Sequence, residues 1–259
     1  MDLGLGGRIA VVTGGSKGIG LAVVRGLVAN DVHVIVGARK SSGELDELAR
    51  AGQVQVAEVD LAGAAGPARL TALAGDRIDI IVNNVGSAPV RTGGFLSITD
   101  EDWYATFTLN LMAAVRTIRS ALPAMLAAGR GVIVNICSAN ARLPDPAVMD
   151  YSAAKAALAG FSKALSKEVG PRGIRVNTVS PGPVATDLWL GNAGVAQTVS
   201  QATGAKPDDV ASQAASQMVT GRFTQPGEVA DVVLFLASDR AANITGADVA
   251  IDGGLITTW

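Results

Sequence analysis

Cysteine and histidine are nearly missing from this chain. Cys137 and His33 are the single examples of their types among 259 residues. One cysteine cannot close an intrachain disulfide, and a Cys-rich metal site is excluded with it. His33 lies in the apolar run 32–36 and reads as a side chain on a sheet. A Ser-His-Asp hydrolase and a multi-histidine zinc enzyme are therefore excluded, and no metal is expected. Charge is scarce too. The formal net charge is −2, with no basic stripe and no run of one sign. Nucleic acid is thus not an expected partner. No Pro/Ser/Gly linker and no repeat divides the sequence, so residues 1–259 are expected to form one domain. The first residues lack a charged segment followed by an apolar run and a cleavage site. No stretch reads as reaching membrane-spanning length. A cytoplasmic protein without a membrane partner is expected.

What is abundant is apolar sequence, at 49% of residues. It falls into short runs that read as strands: 9–13, 32–36, 54–59, 78–82, 132–136, 174–179 and 248–251. Between them lie helical stretches, from the Gly-rich turn to about Ala29, over 42–50, 67–74 and 100–126, from Tyr151 to Val169, and over 226–238. Asp100, Glu101 and Asp102 suit the positive end of a helix dipole, and Pro226 suits a first helical turn. Apolar strands alternating with helices predict an α/β fold, a doubly wound parallel sheet of about seven strands with helices on both faces. Ligands of such a sheet bind beyond the carboxyl ends of its strands.

One such end carries Thr13-Gly14-Gly15-Ser16-Lys17-Gly18-Ile19-Gly20, between the first strand and the first helix. Glycines there let the chain turn tightly and let a pyrophosphate approach backbone N–H groups at the helix N-terminus. The next strand selects the nucleotide. It ends Gly37-Ala38-Arg39-Lys40, with Ala38 where an acid would hydrogen-bond the ribose of NAD. Arg39 can grip a 2′-phosphate with two donors, and Lys17 offers a second charge. NADP(H) is the expected cofactor.

Tyr151 and Lys155 are four residues apart in an Ala-rich helical stretch, and so share one face. Bringing a phenol from its ordinary pKa near 10 to about 7 requires roughly 4 kcal/mol. One positive charge about 5 Å away, at an effective dielectric near 20, supplies roughly 3 kcal/mol. The pair is expected to make Tyr151 a general acid/base near neutral pH.

With these residues in place the chain resembles the short-chain dehydrogenase/reductase family over nearly its whole length. Thr13–Gly20 matches the family's cofactor turn, and Asn83-Asn84-Val85-Gly86 matches its Asn-Asn-Ala-Gly motif with Val85 for alanine. Asn110, Ser138, Tyr151 and Lys155 match its catalytic tetrad. Residues 181–186 match the nicotinamide segment, and Asp252-Gly253-Gly254 the C-terminal turn. The resemblance implies a Rossmann fold and hydride transfer between NADP(H) and a carbonyl or secondary alcohol. By the same resemblance Ser138 orients the substrate carbonyl and Tyr151 gives it a proton. Lys155 holds the nicotinamide ribose and lowers the tyrosine pKa, and Asn110 holds a water that relays protons. It also implies cofactor contacts at Gly14, Ser16, Lys17, Gly18, Ile19, Gly20, Arg39 and Lys40. Further contacts follow at Asp60 and Leu61 beside the adenine, at Asn83, Val85, Gly86 and Ile136, and at Pro181, Gly182, Val184 and Thr186.

Residues 187–223 are too long for a passive loop and are expected to fold as a helical substrate lid. Leu188, Trp189, Leu190 and Met218 are candidates to close an apolar pocket, with Asn140, Leu143, Met149 and Arg91 in its wall. A small free ketone or aldehyde is the expected substrate. The alternative is a 3-oxoacyl group on an acidic carrier protein, for which Arg130 and Arg172 are the only basic residues singled out. A different class of reading is a non-catalytic NADP(H) sensor or scaffold, which the complete tetrad disfavours. The Tyr151 helix is small or apolar nearly all round, so a homotetramer is expected by resemblance to the family.

Overall fold

The computed structural model describes residues 2–258. Strands β1 (Ile9–Thr13), β2 (His33–Ala38), β3 (Val54–Glu58), β4 (Ile80–Asn83), β5 (Gly131–Ile136), β6 (Ile174–Pro181) and β7 (Asp248–Ile251) form one sheet. Its order is β3-β2-β1-β4-β5-β6-β7, with every pairing parallel. Side chains alternate along each strand, so each strand supplies both faces. On β1, Ala10 and Val12 pack with Val34 and Val36 of β2 and Ile80 and Val82 of β4. Val11, Ile35, Ile81 and Ile133 point to the other face. Burial on both sides explains why these strands read as continuous apolar runs.

The first face is covered by α1 (Gly18–Val28), α2 (Gly43–Arg50) and α10 (Pro226–Ala237), through Val23, Leu27, Leu45, Val229 and Val233. The second is covered by α3 (Gly66–Ala72), α5 (Ala113–Ala128) and α6 (Met149–Val169), through Leu70, Ile118, Met125, Leu165 and Val169. His33 is exposed at the start of β2, on the sheet as read.

The helix expected over 100–126 is not uniform. It runs as α4 (Asp100–Phe107), a π-helical turn at Thr108–Met112, and then α5. Thr99 and Asp102 form a reciprocal capping box at its start. The whole stretch Asp100–Ala128 is long and apolar enough to cross a membrane by length and composition. The expectation that no stretch reaches that length therefore does not hold. Two facts account for its apolarity: one face lies on the sheet through Ala113, Ile118, Ala121 and Met125, and Arg116 and Arg119 are the only charges beyond the first turn. The stretch after β6 contains α7 (Asp187–Leu190), α8 (Val195–Thr203) and α9 (Pro207–Ser216).

Strand order reverses between β1 and β4. The Gly-rich turn after β1 and the Asn84–Gly86 loop after β4 therefore lie side by side, where a doubly wound sheet leaves a crevice.

Candidate active site

The turn after β1 is held by an amide from the neighbouring loop. Asn84 Nδ2 donates to the carbonyls of Thr13 at 3.1 Å and Gly14 at 2.9 Å. Thr13 Oγ1 accepts from the backbone N–H groups of Asn84 and Val85 at 2.9 and 3.1 Å. A Cβ on Gly20 would lie 2.2 Å from the Gly14 oxygen and 2.5 Å from Asn84 Nδ2, so no larger residue fits there. Gly18 has φ +56° and faces Thr186, a conformation that suits glycine. The turn delivers its bare backbone to the start of α1, which is the donor set a pyrophosphate requires. These residues fit a dinucleotide. Arg39 and Lys40 are exposed just past β2, free of ion pairs among the described residues. Lys17 is exposed and lies 3.6 Å from Asp187 at the start of α7. The turn is thus linked to the segment after β6.

Ser138 lies two residues past β5, and its hydroxyl accepts from Asn140 N at 3.1 Å and donates to Asn140 Oδ1 at 3.2 Å. Tyr151 and Lys155 lie one turn apart near the start of α6, with Lys155 Nζ 5.7 Å from the Tyr151 ring centroid. Lys155 is buried, and Nζ donates to the Ile136 carbonyl at 2.8 Å. Asn110 sits in the π turn. Its Nδ2 donates to Thr106 O and Ser87 O, both at 3.0 Å, while Oδ1 accepts from Ser87 N at 3.2 Å. A π turn interrupts the usual ladder of carbonyl partners, and here a side chain occupies one of them. Gly86 lies between the two groups: a Cβ there would meet Asn110 Oδ1 at 2.7 Å and Lys155 Nζ at 3.6 Å.

The electrostatics differ from the sequence expectation. Tyr151 is half-buried as a residue, yet the protein around its phenol removes water, and burial pushes the pKa up to about 12. The Ser138 hydroxyl opposes that shift, and Cys137 adds to it. Burial also pushes Lys155 below its ordinary value. The expected depression of the tyrosine by the lysine is therefore reversed in the protein alone. Desolvation weakens both charged forms together, which one helical spacing cannot reveal.

Other singled-out residues divide into three groups. Gly14, Ser16, Gly18, Ile19, Val85, Gly86, Gly182 and Thr186 line the carboxyl end of the sheet and are at least partly accessible. Leu143, Leu188 and Leu190 are exposed, with Asn140, Met149 and Trp189 half-buried. Asp60 is exposed, whereas Leu61, Ile136, Pro181 and Val184 are buried. Three further residues have side chains engaged within the protein. Asn83 is buried, with Nδ2 donating to Asn135 Oδ1 at 2.8 Å inside the sheet. Met218 is 2% exposed and packs beneath the Gly253 turn. Arg91 is tied into ion pairs with Asp102 and Asp150. Asn84, which clamps the turn, is a site residue absent from the sequence expectations. Its place within the Asn83–Gly86 motif was the available signal.

A family model described as "Enoyl-(Acyl carrier protein) reductase" matches residues 14–256. The chain is 34% identical to the 3-oxoacyl-[acyl-carrier-protein] reductase FabG of Escherichia coli, covering 96% of this chain and 97% of that one. It is 35% identical to the D-threitol dehydrogenase of Mycolicibacterium smegmatis, with 98% and 94% covered. The structure of L-sorbose reductase from Gluconobacter frateurii, complexed with NADPH and L-sorbose, superposes with a TM-score of 0.91 over 100% of both chains, at 33% identity. Sheet order, cradle and matched length agree: this chain belongs to the short-chain dehydrogenase/reductase family.

Proposed function

We propose that the protein is an NADP(H)-dependent oxidoreductase that reduces a small free ketone or aldehyde to the alcohol. The observation that carries this reading is the convergence of Ser138, Tyr151, Lys155 and Asn110 beside the glycine cradle. Ser138 Oγ donates to the substrate carbonyl oxygen and orients it, exchanging its Asn140 partner for the substrate. Tyr151 is a neutral phenol at pH 7, the state required of a group that gives a proton to that oxygen. Lys155 Nζ, held by the Ile136 carbonyl, stands beside the phenolate that results. The turn 14–20 and Arg39 would hold NADPH, which supplies the hydride when bound.

A carrier-bound 3-oxoacyl substrate is the second reading, favoured by the similarity to the E. coli reductase. Within one chain its two arginines lie at the wrong end of the sheet. Arg130 precedes β5 and pairs with Asp79, and Arg172 precedes β6, both at amino ends. Similarity to L-sorbose reductase and D-threitol dehydrogenase adds weight to a hydroxylated free substrate. The protein is further read as a cytoplasmic homotetramer with α7–α9 as its lid.

The experiment is a carbonyl panel that includes sugars, simple ketones and a 3-oxoacyl thioester, read by NADPH absorbance. Turnover should appear with free carbonyls and fall by orders of magnitude in Tyr151→Phe while NADPH still binds. NADPH binding without reduction anywhere on the panel would favour the sensor reading.

A further inference from the structure

The segment after β4 carries an arginine that the reaction as described leaves without a task. Arg91 is mostly buried, and its backbone N–H donates to Ala147 O at 2.7 Å, just ahead of α6. Its Nε and Nη2 both reach Asp150 Oδ2, at 3.2 and 2.5 Å, while Nη1 reaches Asp102 Oδ1 at 2.8 Å. Asp150 is fully buried and immediately precedes Tyr151. The same Oδ2 accepts from Thr106 Oγ1 at 2.7 Å, and the Thr106 carbonyl accepts from Asn110 Nδ2 at 3.0 Å. One chain of contacts thus joins the loop after β4, the end of α4 with its π turn, and the first turn of α6.

Burying a carboxylate is expensive unless it is paired, and removing one partner leaves an uncompensated charge. Here the carboxylate stands in the first turn of a helix whose N-cap, Val148, has no side chain able to cap it. The helix dipole favours a negative charge at that end. An ordinary cap would hold α6 by itself. Asp150 instead holds it against two other elements, and one of them carries Asn110.

We propose that Arg91 and Asp150 are positioning residues for Tyr151, fixing the first turn of α6 relative to Asn110 and the end of β5. This rests on the proposed carbonyl reduction. A displacement of about 1 Å at a reacting group can lower turnover about a hundredfold. The pair touches neither the cradle nor Arg39, so NADPH binding is unaffected by its loss.

The test uses Asp150→Asn, Arg91→Met and Arg91→Lys in the full chain. In the first two, kcat falls at least tenfold, with the carbonyl KM and the NADPH Kd within about threefold of wild type. Arg91→Lys keeps the charge but not the fork, and recovers part of the lost kcat. In the protein without cofactor, hydrogen exchange quickens at residues 149–153 and is unchanged at 160–169. Retention of wild-type kcat in Arg91→Met, or equal loss of kcat and NADPH affinity, would overturn the proposal. If neither variant folds, Thr106→Val removes a single partner of Asp150, and kcat must then fall at least threefold. If no carbonyl is reduced even by wild type, the proposed function fails separately, and unchanged exchange at 149–153 sinks this inference by itself.

Discussion

The chain contains only two tyrosines, and the structure puts them in opposite surroundings. Tyr104 is 72% exposed on α4, whereas the phenol of Tyr151 is pushed up to about 12 by burial. Relative to an ordinary value near 10, that is two units, or about 3 kcal/mol in favour of the neutral phenol. A full charge on Lys155 at 5.7 Å would offset roughly 3 kcal/mol at an effective dielectric of 20. Burial disfavours that charge, so the upward shift survives. The assay is a stopped-flow pH jump on the protein without cofactor, following phenolate absorbance before the chain unfolds. A step near pH 12 is expected, and it should be lost in Tyr151→Phe. The sign for stability follows. A folded pKa above the unfolded one contributes stability that is complete below pH 10 and lost as pH rises from about 10 to about 12. Tyr151→Phe should therefore flatten the fall of Tm across that window. A Tyr151 step at or below about pH 10 would refute the reasoning, because the lysine would then outweigh burial unaided.

Arg39→Ala should weaken NADPH about tenfold relative to NADH, on the order of 1.4 kcal/mol, as titration by fluorescence will show. Equal affinity for the two cofactors in wild type would contradict the assignment of Arg39. Gly20→Ala forces a methyl against the Gly14 carbonyl and Asn84, so it should cost about 1–3 kcal/mol by denaturant titration and abolish tight NADPH binding. Light scattering at micromolar concentration should give a mass near four times the 26.1 kDa chain. Ala156, Gly160 and Ala164 are exposed on α6, so Ala156→Glu with Ala164→Arg should dissociate the assembly, and a wild-type mass of one chain would end the idea.

What the sequence determined by itself was whatever depends on neighbours along the chain. Two-sided burial made the strands of this parallel sheet apolar throughout, and the Thr13–Gly20 turn and the four-residue spacing of Tyr151 and Lys155 are local patterns. Punctuation by Asp100, Glu101, Asp102 and Pro226 marked helix starts for the same reason. Tertiary structure decided what depends on distant partners. Arg91 and Asp150 are 59 positions apart, and Asn84 reaches back 70 to clamp Gly14. The π turn at Thr108–Met112 lies in a stretch whose periodicity reads as plain helix, and its amide partner Ser87 comes from another loop. The direction of the Tyr151 shift belongs to this second kind. Helical spacing supplies the lysine's attraction for a phenolate, but only the folded surroundings remove water from both groups, and that desolvation is the larger effect.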